Sequence, residues 1–168
     1  NVGDAIIDEL GALDDEHKWA EAIERCEELL TGELEDNVRA YVLMILAKCY
    51  NIKAAGFSYE EKYDEARECN EKAKGCINES LRLLYTDCSI YWAIEIYHDL
   101  GEYDIARRLA IGLMESDDKE YSDYAHTMYC KITEAYCGSL NYFCEGYERD
   151  LKECESSNES PEEKEELR

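Results

Sequence analysis

Proline and glycine are scarce in this sequence. One Pro and nine Gly among 168 residues leave few positions for the tight turns that join β-strands. No apolar run approaches the roughly 20 residues that a membrane-spanning helix needs, and no basic segment followed by an apolar one opens the chain. We therefore expect an all-α fold without a membrane partner.

Basic residues are also few. Eighteen Lys and Arg stand against 41 Asp and Glu, which gives a formal charge of −23, yet 45% of the residues are hydrophobic. The apolar fraction favours a folded domain, and the excess of acid argues against binding nucleic acid, which requires clustered Lys and Arg. Residues 1–36 hold thirteen acidic and two basic residues, a net −11. This segment is either a solvated surface or a docking surface for a basic partner.

Cysteine is frequent, with nine residues, but no CxxC pair or compact Cys/His cluster offers a metal site. Most thiols are expected to be small core residues in a reducing, cytoplasmic environment. Cys130, Cys137 and Cys144 have heptad spacing, but the Gly138-Ser139 pair is expected to interrupt any helix through them.

Apolar residues recur at three- and four-residue steps along most of the chain, as in amphipathic helices. This pattern predicts helices over 19–30, 37–52, 59–73, 80–99, 103–115, 120–136 and 140–154. Glycines at 56, 75 and 138 are expected to lie in the intervening breaks. We expect one helical domain over 1–155 and an acidic, mobile tail over 156–168.

A more apolar helix, a tight break and a more charged helix recur along the chain. Two segments share the spacing of a repeated first helix, namely Leu43-x2-Leu46-Ala47-x2-Tyr50 and Ile90-x2-Ala93-Ile94-x2-Tyr97, and Gly101-Glu102-Tyr103-Asp104-Ile105-Ala106 reads as a turn into a second helix. These segments resemble the tetratricopeptide repeat family over about residues 4–118. The resemblance implies a right-handed stack of antiparallel helix pairs, with three repeats and a degenerate C-terminal helix pair. A helical bundle without repeats is the alternative.

The spacing between the two helices of a pair differs in one place. Twelve residues separate Leu10 from Ala22 and Ile94 from Ala106, but nineteen separate Ala47 from Ala66. We expect the seven extra residues, near 52–62, to lengthen a loop. Small residues are expected to set close helix crossings, with aromatic side chains filling the space beside them. The small residues are Ala22, Ala47, Ala66 and Ala106, and the aromatic ones are Trp19, Tyr50, Tyr63, Tyr97 and Tyr103.

Residues for catalysis are not apparent. His17, His98 and His126 lie on separate predicted segments, and HExxH, GxSxG and phosphate-binding glycine motifs are missing. We expect no enzyme activity, no cofactor and no metal.

The resemblance instead implies a protein-protein interaction module, an adaptor or chaperone-like scaffold that binds a peptide or helix of a partner in a concave groove. The first helix of each pair would line that groove with Asp4, Ile7, Tyr41, Met44, Lys48, Asn51, Tyr91, Glu95 and His98. Only Lys48 and Asn51 suit a terminal carboxylate, so a basic or amphipathic segment of another protein is the expected partner, and homo-oligomers are possible. The alternative is an acidic mimic or inhibitor that occupies the basic site of a nucleic-acid-binding protein.

Overall fold

The chain folds into α-helices. The computed structural model describes residues 1–158, with the side chains at 139, 141, 143, 154, 155, 157 and 158 left aside. Its elements are α1 (Val2–Asp15), α2 (Trp19–Leu30), α3 (Asp36–Tyr59), α4 (Tyr63–Leu83), α5 (Asp87–Asp99), α6 (Tyr103–Leu113) and α7 (Lys119–Asn158). No strand occurs within residues 1–158, so the all-α prediction is confirmed.

Three short turns, which join α1 to α2, α3 to α4 and α5 to α6, have the same construction. Each contains one residue with positive φ, at His17 (57°), Glu61 (61°) and Gly101 (75°). Two residues later an aromatic side chain opens the second helix, at Trp19, Tyr63 and Tyr103. Left-handed backbone conformation at the end of a helix is usually given to glycine, yet two of these turns place a larger residue there.

The hydrogen bonds of these turns repeat as well. In each turn a backbone N–H donates back to the carbonyl five residues earlier, a bond that closes the end of the helix. The pairs are Lys18 to Leu13 (2.9 Å), Lys62 to Phe57 (2.8 Å) and Glu102 to Tyr97 (2.9 Å). The chain therefore forms three helix pairs through one repeated local structure.

The seven extra residues near 52–62 are helical, so the prediction of a longer loop there is wrong. α3 continues through Gly56 to Tyr59, and only Glu60–Lys62 separate it from α4. Seven residues add about two helical turns. α4 likewise continues through Gly75 and Asn78 to Leu83, where a break was predicted. One glycine costs a helix only about 1 kcal/mol relative to alanine, which the packing of α3 on α4 offsets.

The predicted C-terminal helix pair is also wrong for the part of the chain that is described. α7 is a single helix from Lys119 to Asn158, with Gly138 in its interior. Without a proline, one glycine is too weak a helix breaker to end it. The chain divides into two units, Asn1–Ile132 and a second that begins at Thr133. Residues 159–168, most of the predicted tail, lie outside the described residues.

Helix contacts in the first unit follow a regular order. α1 contacts α2 and α3, α3 contacts α2, α4 and α5, and α5 contacts α4 and α6. α1 and α3 therefore each pack on their own partner helix and on the next odd-numbered helix, and α5 packs on its partner α6.

The core of the first unit contains the predicted small residues. Ala22, Ala47 and Ala106 have no exposed surface, and Ala66 is 5% exposed. The adjacent aromatic residues differ in how deeply they are buried. Tyr50 and Tyr97 are buried, and Trp19 and Tyr103 pack partly buried against the core.

Tyr63, in contrast, is 65% exposed, so its predicted role as a filler of the core is wrong. It is the first residue of α4 and follows the two extra turns of α3. The ring therefore lies at the end of a long helix pair, away from the crossing at Ala47.

The cysteines divide by location. Cys26, Cys49 and Cys69 are buried, whereas Cys130, Cys137 and Cys144 are exposed on α7. Burial raises the pKa of Cys26 to about 12 and that of Cys49 to about 11. Among the side chains that the structure describes, no group of three or more from His, Cys, Asp and Glu is placed to hold a metal ion. None of the helices described is both long and apolar enough to cross a membrane.

The repeated turn gives two substitutions of opposite effect. Glu61→Gly removes the side chain from a left-handed position and is expected to raise the free energy of unfolding by about 1 kcal/mol. Gly101→Ala introduces a side chain at the corresponding position and is expected to lower it by about 1 kcal/mol. Urea unfolding of both variants measures the difference, and changes of the same sign would contradict the shared turn.

Candidate functional site

Lys48 lies at the centre of a cluster that joins four helices. Its Nζ is 2.7 Å from Oδ2 of Asp14 on α1, and both side chains are about one-fifth exposed. The same Nζ lies 5.6 Å from the ring centroid of Trp19 on α2 and 5.2 Å from that of Trp92 on α5. Both distances suit cation–π attraction. We call Asp14, Trp19, Lys48 and Trp92 the Lys48 cluster.

An aromatic group adjoins the Lys48 cluster through Trp92. The Tyr91 ring lies 5.0 Å from Trp92, 4.2 Å from Tyr124 and 6.2 Å from Tyr121, measured between centroids. Tyr121 and Tyr124 belong to the first turns of α7, within the first unit. Aromatic pairs at these distances contribute to stability beyond the effect of their buried area. These contacts therefore hold the side chains of Tyr91 and Trp92 in position on α5.

Glu95 is held by this aromatic group. The Tyr124 hydroxyl donates to Oε1 of Glu95 at 2.6 Å. Burial, together with this bond to a carboxylate, raises the pKa of Tyr124 far above its usual range. Burial also raises the pKa of Tyr91, and the charge of Glu95 adds to that effect. The site therefore presents a positioned carboxylate beside half-buried tyrosines.

Four of the predicted groove residues contribute to this surface. Lys48, Tyr91 and Glu95 belong to the two groups described above, and Tyr41 is half-buried on α3. A Cβ atom added to Gly11 of α1 would lie 3.6 Å from the Tyr41 hydroxyl oxygen. Burial is the main reason that the pKa of Tyr41 is raised, followed by the charge of Asp14.

The other predicted residues lie elsewhere in the first unit. Met44 is buried in the core. Asn51 is also buried, and its Nδ2 donates to Oδ1 of Asn70 and to Oδ2 of Asp99, each at 2.9 Å. His98 lies beside Asp99, with its Nδ1 3.1 Å from Oδ1 of that residue. Asp4 belongs to the capping box that begins α1, and Ile7 is half-buried on the same helix.

Two residues of the site, Asp14 and Trp19, were not predicted from the sequence as binding residues. Asp14 could have been predicted from the repeat spacing, because it lies four residues after Leu10. The predicted groove residues Asn51 and His98 lie four residues after the equivalent Ala47 and Ile94. Trp19 was assigned only to the core. The contacts of Lys48 with two indole rings depend on helix crossings that local spacing does not reveal.

The extension of α3 forms one wall of a cavity beside the Lys48 cluster. The cavity has a volume of about 620 Å³, and its lining includes Trp19 and Ile23 of α2 and Ile52, Lys53 and Gly56 of α3. His17, Lys18 and Glu21 also line it.

The bond between Tyr124 and Glu95 can be measured by its pH dependence. Tyr124→Phe is expected to lower the free energy of unfolding by about 1–2 kcal/mol at neutral pH, because a half-buried carboxylate loses its donor. The folded pKa of Tyr124 is raised, so the stabilisation is complete below the unfolded value of about 10 and is lost as the pH rises above it.

Denaturant unfolding of the wild type and Tyr124→Phe across this range measures the difference, which should shrink above about pH 10. Tyr85→Phe is the control, since Tyr85 is 64% exposed. A difference between wild type and Tyr124→Phe that stays constant at high pH would contradict the assigned bond.

Comparison with known proteins gives no relative for this site. No family model matches the sequence, and neither a curated protein nor a solved structure matches the chain. The function proposed below therefore depends on the geometry and charge of the residues described above.

Proposed function

We propose that the first unit is a right-handed stack of helix pairs like that of tetratricopeptide repeats. Three turns with the same backbone conformation and the same closing hydrogen bond support this proposal. The contact order supports it as well, because α1, α3 and α5 pack consecutively while each keeps its own partner helix. A repeat stack requires both features.

We further propose that the chain binds a segment of another protein, rather than catalysing a reaction, on the surface formed by α1, α3 and α5. The observation that carries this proposal is the row of half-buried aromatic side chains on α3 and α5, namely Tyr41, Tyr91 and Trp92. Tyr and Trp are favoured in binding surfaces because they offer a large, rigid contact area with a polar group. The ring contacts of Tyr91 and Trp92 hold them in place before any partner binds.

The charges of this surface indicate the chemistry of the partner. The ammonium group of Lys48 is already matched by Asp14 at 2.7 Å, which leaves it a poor receptor for a terminal carboxylate. Glu95 and the net charge of −11 over residues 1–36 favour a segment that carries Lys or Arg beside apolar residues.

An acidic mimic of nucleic acid is the second candidate. Its support is the density of exposed carboxylates on α1 and α2, including Asp8, Glu21 and Glu24. Such a mimic would bind its target through charge alone, without using the aromatic row.

Selection from a random peptide library displayed on phage separates the two candidates. The interaction module should select amphipathic peptides that contain both basic and large apolar residues. Trp92→Leu should weaken their binding by about tenfold, the loss expected for a central aromatic residue. The matched control is Tyr63→Leu, which changes an exposed aromatic residue on α4 and should leave binding unchanged.

Thermal unfolding followed by circular dichroism should show that both variants remain folded. Purely basic peptides that bind Trp92→Leu as well as wild type would support the acidic mimic and contradict the proposed module. If Trp92→Leu and Tyr63→Leu weakened peptide binding equally, the proposal that the binding surface includes α5 would be wrong.

A further inference from the structure

The second unit has an exposed apolar stripe along α7. The stripe consists of Cys137, Leu140, Cys144, Tyr147 and Leu151, which alternate at steps of three and four residues. Leu140 is 46% exposed, Tyr147 is 68% exposed and Leu151 is 42% exposed, and both thiols are exposed. Steps of three and four residues place all five on one face of a helix.

This arrangement is typical of a helix that packs along another helix. In heptad notation Cys137, Cys144 and Leu151 take position a, and Leu140 and Tyr147 take position d. An apolar stripe facing water is costly, and contiguous exposed apolar residues commonly mark interaction sites. The stripe belongs wholly to the second unit.

Two of the four residues at positions e and g beside the stripe are acidic, and the other two are Asn141 and Phe143. Glu148 takes position e and Asp150 takes position g, the positions that face the charges of a partner helix in a coiled coil. Both are exposed. Residues 133–158 hold six acidic and two basic residues, a net −4.

The charge pattern distinguishes among possible occupants. In a parallel pair of two copies, position g of one helix faces position e of the next heptad of the other. Asp150 would then face Glu155, and like charges at these positions disfavour association. A partner helix with Lys or Arg at its own e and g positions would instead form ion pairs with Glu148 and Asp150.

We propose that the stripe on α7 is a docking site for an amphipathic helix of another protein, with apolar residues at its a and d positions and Lys or Arg beside them. The chain then has two protein-binding surfaces, one in each unit. The apolar stripe supplies the contact area, and the flanking carboxylates select a basic partner over an acidic one.

The test uses the full chain and two synthetic coiled-coil peptides. Both peptides carry Leu at a and d, but one carries Lys at e and g and the other carries Glu. Fluorescence anisotropy of the labelled peptides should show that the Lys peptide binds at least about tenfold more tightly than the Glu peptide. Its affinity should fall as the salt concentration rises.

Replacement of Leu140 and Leu151 by Asp should weaken binding of the Lys peptide by at least about tenfold. The matched control is Ile111→Asp, which changes a side chain on α6 that is 45% exposed and should leave binding unchanged. Trp92→Leu should also have no effect, which separates this site from the surface in the first unit. Because Leu140 and Leu151 are exposed, far-UV circular dichroism should show unchanged helix content in their variant.

Three results would overturn the proposal. The first is equal binding of the Lys and Glu peptides, and the second is undiminished binding of the Lys peptide to the variant with Asp at 140 and 151. The third is a dimer of the free chain in sedimentation equilibrium that the same variant dissociates, since a second copy would then cover the stripe.

Discussion

Close approach of neighbouring helices at alanine is the constraint on which the first unit depends. Ala22, Ala47, Ala93 and Ala106 have no exposed surface, and each lies on a helix that packs on its partner or on the next pair. A methyl side chain at these positions allows the backbones to come near enough for the surrounding residues to interlock. A larger side chain would force the helices apart or out of register.

The candidate site is a consequence of that approach. Lys48 reaches Asp14, Trp19 and Trp92 on three other helices, which is possible only where those helices converge. The three repeated turns also contribute, because the same closing hydrogen bond joins the two helices of each pair. Local backbone structure thus sets the pairs, alanine packing sets their spacing, and the aromatic and charged surface follows from both.

The sequence predicts well what depends on local pattern. The apolar stripe of Trp19, Ala22 and Cys26 predicts α2 with its observed bounds, and Gly101-Glu102-Tyr103 predicts the turn before α6. Glycine is where local reasoning fails. Gly56, Gly75 and Gly138 all lie inside helices, because an isolated glycine lowers helix stability by only about 1 kcal/mol. Prediction of the site is limited in a different way, since the positions of Lys48 and Glu95 follow from helical spacing but their partners depend on tertiary packing.

The most direct measurement of the central claim compares two alanines on α3. Ala47 has no exposed surface, whereas Ala55 is exposed. Replacement of Ala47 by Leu is expected to lower the free energy of unfolding by about 1–3 kcal/mol or more, and the same change at Ala55 is expected to stay within about 0.5 kcal/mol of wild type. Urea unfolding measures both. Full stability of Ala47→Leu would contradict the account, because the helices would then have room that close packing at alanine excludes.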